Sequence, residues 1–162
     1  GTPSGHPDTV LPGWTGSMTP ESEQLVQQSW SLVSQRSMAL AERFYGRLFE
    51  IAPEQQRLFA VTDMLNQQRK FIAMLQEIVR RIGTPDQLVP EVAALGARHV
   101  GYGVTAKDYA VVGEALIWAL EQELGPAMTP ELRQAWKEAY LLTARLMGRG
   151  ADVRPAAPVT ED

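Results

Sequence analysis

The sequence predicts an all-α fold. Apolar residues recur at i, i+3, i+4 and i+7 in nearly every segment from Leu25 to Met147. Proline and glycine punctuate these segments where helices would stop. No segment alternates apolar and polar residues as a half-buried strand does, and no repeat of roughly 20–50 residues is visible. A chain of 162 residues suits one domain with an enclosed core.

Each element follows from its own signals. Residues 1–17 are rich in glycine and proline and read as a flexible or vector-derived tail, with the natural start at Met18. Thr19-Pro20-Glu21 supplies an N-cap, a proline at the first helical position and a first-turn acid. The first helix then shows Leu25, Val26, Trp30 and Val33 on one face. Ala41, Phe44, Tyr45, Leu48 and Phe49 mark the second helix, which Pro53 stops. A short turn leads to Phe59. Thr62-Asp63 caps a third long helix, whose face carries Gln67, Phe71, Met74 and Ile78. Gly83, Thr84 and Pro85 break it. A helix over 88–100 is expected next, ended by Gly101-Tyr102-Gly103. A further helix spans about 105–124 through Tyr109, Val112, Leu116 and Leu120, and Gly125-Pro126 closes it. Thr129-Pro130-Glu131 repeats the opening signature. The last helix buries Leu132, Trp136, Ala139, Tyr140, Thr143 and Met147. The expected domain is 18–150, with 151–162 a flexible C-terminal tail.

Composition narrows the chemistry. The net charge is −4, from 15 basic and 19 acidic residues, so a nucleic-acid footprint is not expected. Cysteine is absent, which excludes disulfides, thiol redox chemistry and cysteine-ligated zinc or iron–sulfur sites. No apolar run is long enough to span a membrane, and the N-terminus lacks the regions of a signal peptide. The expectation is a cytoplasmic protein.

His6 and His99 are the only histidines. A lone helical histidine is most often a surface or satisfied core residue. For His99 the context differs: Leu95 lies one turn back and glycines follow at 101 and 103. One imidazole without cysteine partners cannot form a structural zinc site, but it can serve as the single proximal ligand of a haem iron.

The segments FYGRLFEIAPEQQRLF at 44–59, QQRKF at 67–71, LGARHVGYGV at 95–104, DYAVVGEAL at 108–116 and AWKEAY at 135–140 stand in the order of a known family. With Ser29-Trp30, they give residues 19–149 a resemblance to globins. It is nearest to single-domain bacterial haemoglobins and the haem domains of flavohaemoglobins. The resemblance implies a globin fold, with helices packed around a haem b pocket. It assigns His99 as the proximal iron ligand and Phe59 as the aromatic wedge against the haem. It places Leu95, Val104, Tyr109, Val112, Phe71 and Lys70 in the cofactor's surroundings, with Lys70 able to pair with a propionate. Tyr45, Gln67 and Phe71 form the distal ligand pocket.

The ordinary alternatives are aromatic core for Tyr45 and Phe59, and a surface amide for Gln67 between Asn66 and Gln68. The implied function is reversible binding of O₂, CO and NO at a five-coordinate ferrous iron. Tyr45 is expected as the main donor to bound O₂ and Gln67 as the second, giving high O₂ affinity. The alternatives are NO dioxygenation with an external reductase, or a gas-sensor domain. The expected assembly is a monomer or weak homodimer.

One departure from the flavohaemoglobin pattern is informative. Tyr109 matches a tyrosine that, with a glutamate, holds the proximal histidine. No carboxylate occurs between Glu138 and Asp152, and the glutamate's place falls near Ala151. Without that acceptor the imidazole is a weaker donor, which disfavours peroxidase-like chemistry.

Overall fold

The computed structural model describes residues 18–59, 61–84 and 106–153. These form five α-helices and three short 3₁₀ segments, and no strand occurs among the described residues. The helices are α1 (Pro20–Val33), α2 (Ser37–Ile51), α3 (Met64–Arg80), α4 (Ala106–Leu124) and α5 (Pro130–Val153). The 3₁₀ segments are Ser34–Arg36, Pro53–Phe59 and Gly125–Ala127. The expected 88–100 helix, with Leu95, His99 and Val104, lies outside the described residues.

The predicted caps form. Thr19 Oγ1 accepts the Ser22 N–H at 3.1 Å. Asp63 Oδ1 accepts from Leu65 and Asn66 at 3.1 and 3.3 Å, and Thr129 Oγ1 from Leu132 at 3.1 Å. Each satisfies backbone donors that have no partner within their helix. Gly125, at φ +53°, turns the chain out of α4 in a conformation that costs glycine little.

Two features depart from the sequence reading. The stretch before Phe59 is a 3₁₀ helix over Pro53–Phe59, where a plain turn was expected. The last helix continues to Val153, past the expected boundary at 150. The glycines at 148 and 150 do not end it.

α2 packs against α4 and α3, while α1 packs against α5. Trp136, Leu40, Ile82, Leu120, Val26 and Val33 are the largest fully buried side chains. Trp136 lies 6.4 Å from Trp30 and donates its Nε1–H to Ser29 Oγ at 2.9 Å, tying α5 to α1. A buried indole N–H needs such a partner. Glu123 at the end of α4 is 4% exposed and pairs with Arg36 and Arg43, fixing the start of α2. No helix among the described residues is long and apolar enough to cross a membrane.

Candidate functional site

The packing of α2, α3, α4 and α5 leaves a cavity of about 570 Å³. That volume falls in the range of small-molecule and cofactor pockets. Its walls come from regular helix spacing. α3 contributes Gln67, Phe71, Met74 and Ile78, and α4 contributes Tyr109, Val112 and Leu116. These are i, i+3 or i+4 steps, which place side chains on one face.

Tyr45 of α2 is 6% exposed and lines the cavity. Its ring meets Phe44, Phe59 and Phe71 edge-on, with centroids 4.9, 5.6 and 5.7 Å away. Phe71 stacks on Phe44 at 4.3 Å. This aromatic cluster leaves the phenol little freedom. Tyr45 Oη accepts a hydrogen bond from Gln67 Nε2 at 3.1 Å. An oxygen that accepts from Gln67 keeps its own proton available for a third group. Burial raises the Tyr45 phenol above its ordinary value, and the Gln67 bond draws it partly back. The group therefore stays a neutral donor at neutral pH.

The opposite walls carry two further phenols. Tyr140 of α5 donates its hydroxyl to the Tyr109 carbonyl. Burial, with Tyr109 beside it, pushes the Tyr140 phenol well above the usual tyrosine range. Tyr109 Oη is buried and has no hydrogen-bond partner among the described residues. An unpaired buried hydroxyl costs about 1–3 kcal/mol, so the position favours an occupant that accepts from it.

The structure brings together Tyr45, Phe59, Gln67, Phe71, Tyr109 and Val112 around one cavity. Lys70 is exposed and is not among the cavity's lining residues. Leu95, His99 and Val104 fall outside the described residues. Gln67 is more constrained than a free distal amide: its N–H is engaged by Tyr45.

The sequence reading missed one polar pair. Gln55, 6% exposed in the 3₁₀ helix, donates to Asp108 Oδ1 at 2.5 Å, and both line the cavity. Asp108 stands in the first turn of α4, where a carboxylate is favoured. That placement was the only local sign. Trp136, Ala139, Tyr140 and Thr143 of α5 also line the cavity, where sequence periodicity gave them only as core.

The profile of the globin family matches residues 42–145. The flavohemoprotein of Chromobacterium violaceum is 33% identical over 134 residues, covering 81% of this chain and 33% of that protein. The flavohemoprotein of Bordetella parapertussis is 33% identical over 143 residues, covering 86% of this chain and 36% of that protein. The chain thus spans about a third of the length of these curated relatives. A solved structure of similar fold is an engineered carbene transferase made from a nitric oxide dioxygenase candidate of Rhodothermus marinus. It matches with a TM-score of 0.75 and 33% identity, over 85% of this chain and 96% of that one.

Proposed function

The chain belongs to the globin family, and from that premise we propose that it reversibly binds O₂, CO and NO at a haem b held in the α2–α5 cavity. Family membership and the flavohemoprotein relatives imply haem binding. The cavity supports that reading on its own terms. Its apolar and aromatic walls suit a flat macrocycle, and the Tyr109 hydroxyl, without a partner among the described residues, has a proton to donate.

In this reading His99 ligates the iron, Phe59 wedges the macrocycle, and Leu95, Val104, Phe71, Val112 and Tyr109 surround it. Lys70 serves a propionate. When bound, the haem supplies an iron coordination position for a diatomic gas and accepts or gives one electron.

The observation that carries the ligand side is the Gln67–Tyr45 hydrogen bond. Gln67 engages the Tyr45 oxygen, which leaves the Tyr45 proton free to be donated to an occupant of the pocket. A hydrogen bond from Tyr45 to a charge-bearing ligand contributes about 1.5–3 kcal/mol, enough to slow O₂ release markedly. A ligand with little charge, such as CO, gains much less. The aromatic cluster of Phe44, Phe59 and Phe71 limits water around the phenol, which strengthens the bond.

A second reading follows from what the similar proteins are named for. NO and O₂ combine with one electron to give nitrate, and an external reductase delivers that electron. The Tyr45–Gln67 pair serves this reaction by holding O₂ until NO arrives.

Absorption spectra of the purified protein, oxidised, reduced and with CO, test the proposal. The expected result is a non-covalent b-type haem and a five-coordinate reduced form. His99→Ala should abolish normal ligation. An unchanged reduced spectrum in that variant would overturn the assignment of His99. Steady-state nitrate production with an added reductase tests the second reading.

A further inference from the structure

The cavity is not the only large hollow between α4 and α5. A groove of about 530 Å³ lies on their other side, closed at one edge by Arg47 of α2. Each helix is two-faced. On α4, Tyr109, Val112 and Leu116 face the cavity, while Ala110, Gly113, Ile117 and Trp118 face the groove. On α5, Ala139 and Thr143 face the cavity, while Lys137 and Leu141 face the groove. The two helices together are the wall between the hollows.

Tyr140 is the one residue, among those described, that lines both. Opposite its ring stands Gly113. A Cβ built there would lie 2.6 Å from Tyr140 Cε2 and 2.9 Å from Cδ2, so the ring occupies the space a side chain would take. At this crossing α4 contributes only backbone. The Tyr140 ring stands between the two hollows, and its hydroxyl is held by the Tyr109 carbonyl and the Gly113 backbone.

We propose that Tyr140 is the gate of a second passage for small apolar ligands, running between α4 and α5 from the groove into the cavity. The passage rests on reading the cavity as the haem pocket. A diatomic gas makes no demand for hydrogen bonds, and Ile117, Leu141 and the Trp118 ring give it apolar surface inside a rim of Arg47, Glu114, Glu121, Arg133 and Lys137. Opening requires the ring to leave Gly113 and its hydroxyl to release its backbone partners. A neutral hydrogen bond of this kind adds little net stability, so thermal motion breaks it often. A larger side chain at position 113 would displace the ring. The glycine therefore lets the gate close flush.

Flash photolysis of the CO complex of the haem-loaded protein reads the passage. Tyr140→Ala should raise bimolecular CO association by about threefold or more and lower the geminate fraction, whereas Tyr140→Phe, which keeps the ring, stays within about twofold of the native protein. Ala110→Trp fills the groove floor. Added to Tyr140→Ala it should restore the native rate; alone it should slow CO association by about twofold.

Unchanged rates in Tyr140→Ala, or a gain that Ala110→Trp does not reverse, would overturn the gate. If Tyr140→Ala does not fold, Ala110→Trp alone decides, because an unchanged rate there means no traffic through the groove. Xenon exchange measured by NMR on the same variants follows the same order without depending on haem. Haem uptake by the native chain tests the pocket reading separately.

Discussion

The α2–α3 side and the α4–α5 side of the cavity present the same functional group in three different states. Tyr45, between α2 and α3, accepts a hydrogen bond from a side chain. Tyr140, on α5, donates to a backbone carbonyl. Tyr109, on α4, has no partner among the described residues. All three are phenols against one hollow, and burial raises all three above the ordinary tyrosine value. The difference shows that a phenol's role is set by which half of its hydrogen-bonding capacity the protein already uses. Tyr45 has its oxygen occupied and its proton free, so it is prepared to donate. Tyr140 has its proton committed, so it acts as a fastening. Tyr109 has neither committed among the described residues.

The largest expected effect breaks the first of these states. Tyr45→Phe keeps the ring among Phe44, Phe59 and Phe71, removes the donor and releases Gln67 Nε2 from the lost oxygen. O₂ dissociation should accelerate by roughly ten- to a hundredfold, with CO dissociation changed much less. Displacement of O₂ by CO in a stopped-flow instrument measures it. Gln67→Leu should act in the same direction but less strongly, because Gln67 works through Tyr45 and not on the ligand alone. The double variant should then fall short of the summed effects, since neighbours in one network do not add. Equal O₂ off-rates for native and Tyr45→Phe would sink the donor role. Strict additivity would detach Gln67 from Tyr45.

The pocket's residues were legible where local periodicity or a short motif exposes them. Gln67 and Phe71 are one turn apart on α3, and Tyr45 shares a face with Ala41, Leu48 and Phe49, so their grouping needs no tertiary knowledge. The caps at Thr19, Asp63 and Thr129 were legible for the same reason. Partners chosen across the fold were not. Gln55 and Asp108 are 53 residues apart, and Tyr140 reaches the Tyr109 carbonyl across 31. Nothing in the sequence around Gly113 marks it, and the crossing of α4 by Tyr140 gives it a role. The direction of the Tyr45–Gln67 bond is likewise a property of how α2 and α3 meet, since each residue type can donate or accept.

A smaller effect separates Tyr109 from the other two. Tyr109→Phe removes a hydroxyl that pairs with nothing described, so the haem-free protein should be as stable as the native chain or gain up to about 1 kcal/mol. Urea unfolding of the haem-free and haem-loaded forms measures this. With haem present the comparison should reverse, because the native hydroxyl then has an acceptor to lose. A loss larger than about 1 kcal/mol in the haem-free variant would reveal a partner the cavity does not show.

The smallest effect is an expected constancy with a defined limit. Burial is the first cause of the raised value at each of the three phenols, and only the neutral form is favoured inside. Below the ordinary tyrosine value of 10.0, folded and unfolded chains both hold these protons, and the phenols add no pH dependence to stability. Above 10.0 the unfolded chain releases them while the folded chain keeps them, so the unfolded state binds fewer protons and stability falls as pH rises. The fall continues until the folded phenols themselves ionise. Tyr45 therefore remains a donor across the neutral and mildly alkaline range. O₂ dissociation in the native protein should be flat between about pH 6 and pH 9, as in Tyr45→Phe at its faster rate. If the native rate instead rose toward the Tyr45→Phe value below about pH 9, the phenol would be ionising in reach of solvent. The enclosed, donor-ready state assigned to Tyr45 would then be wrong.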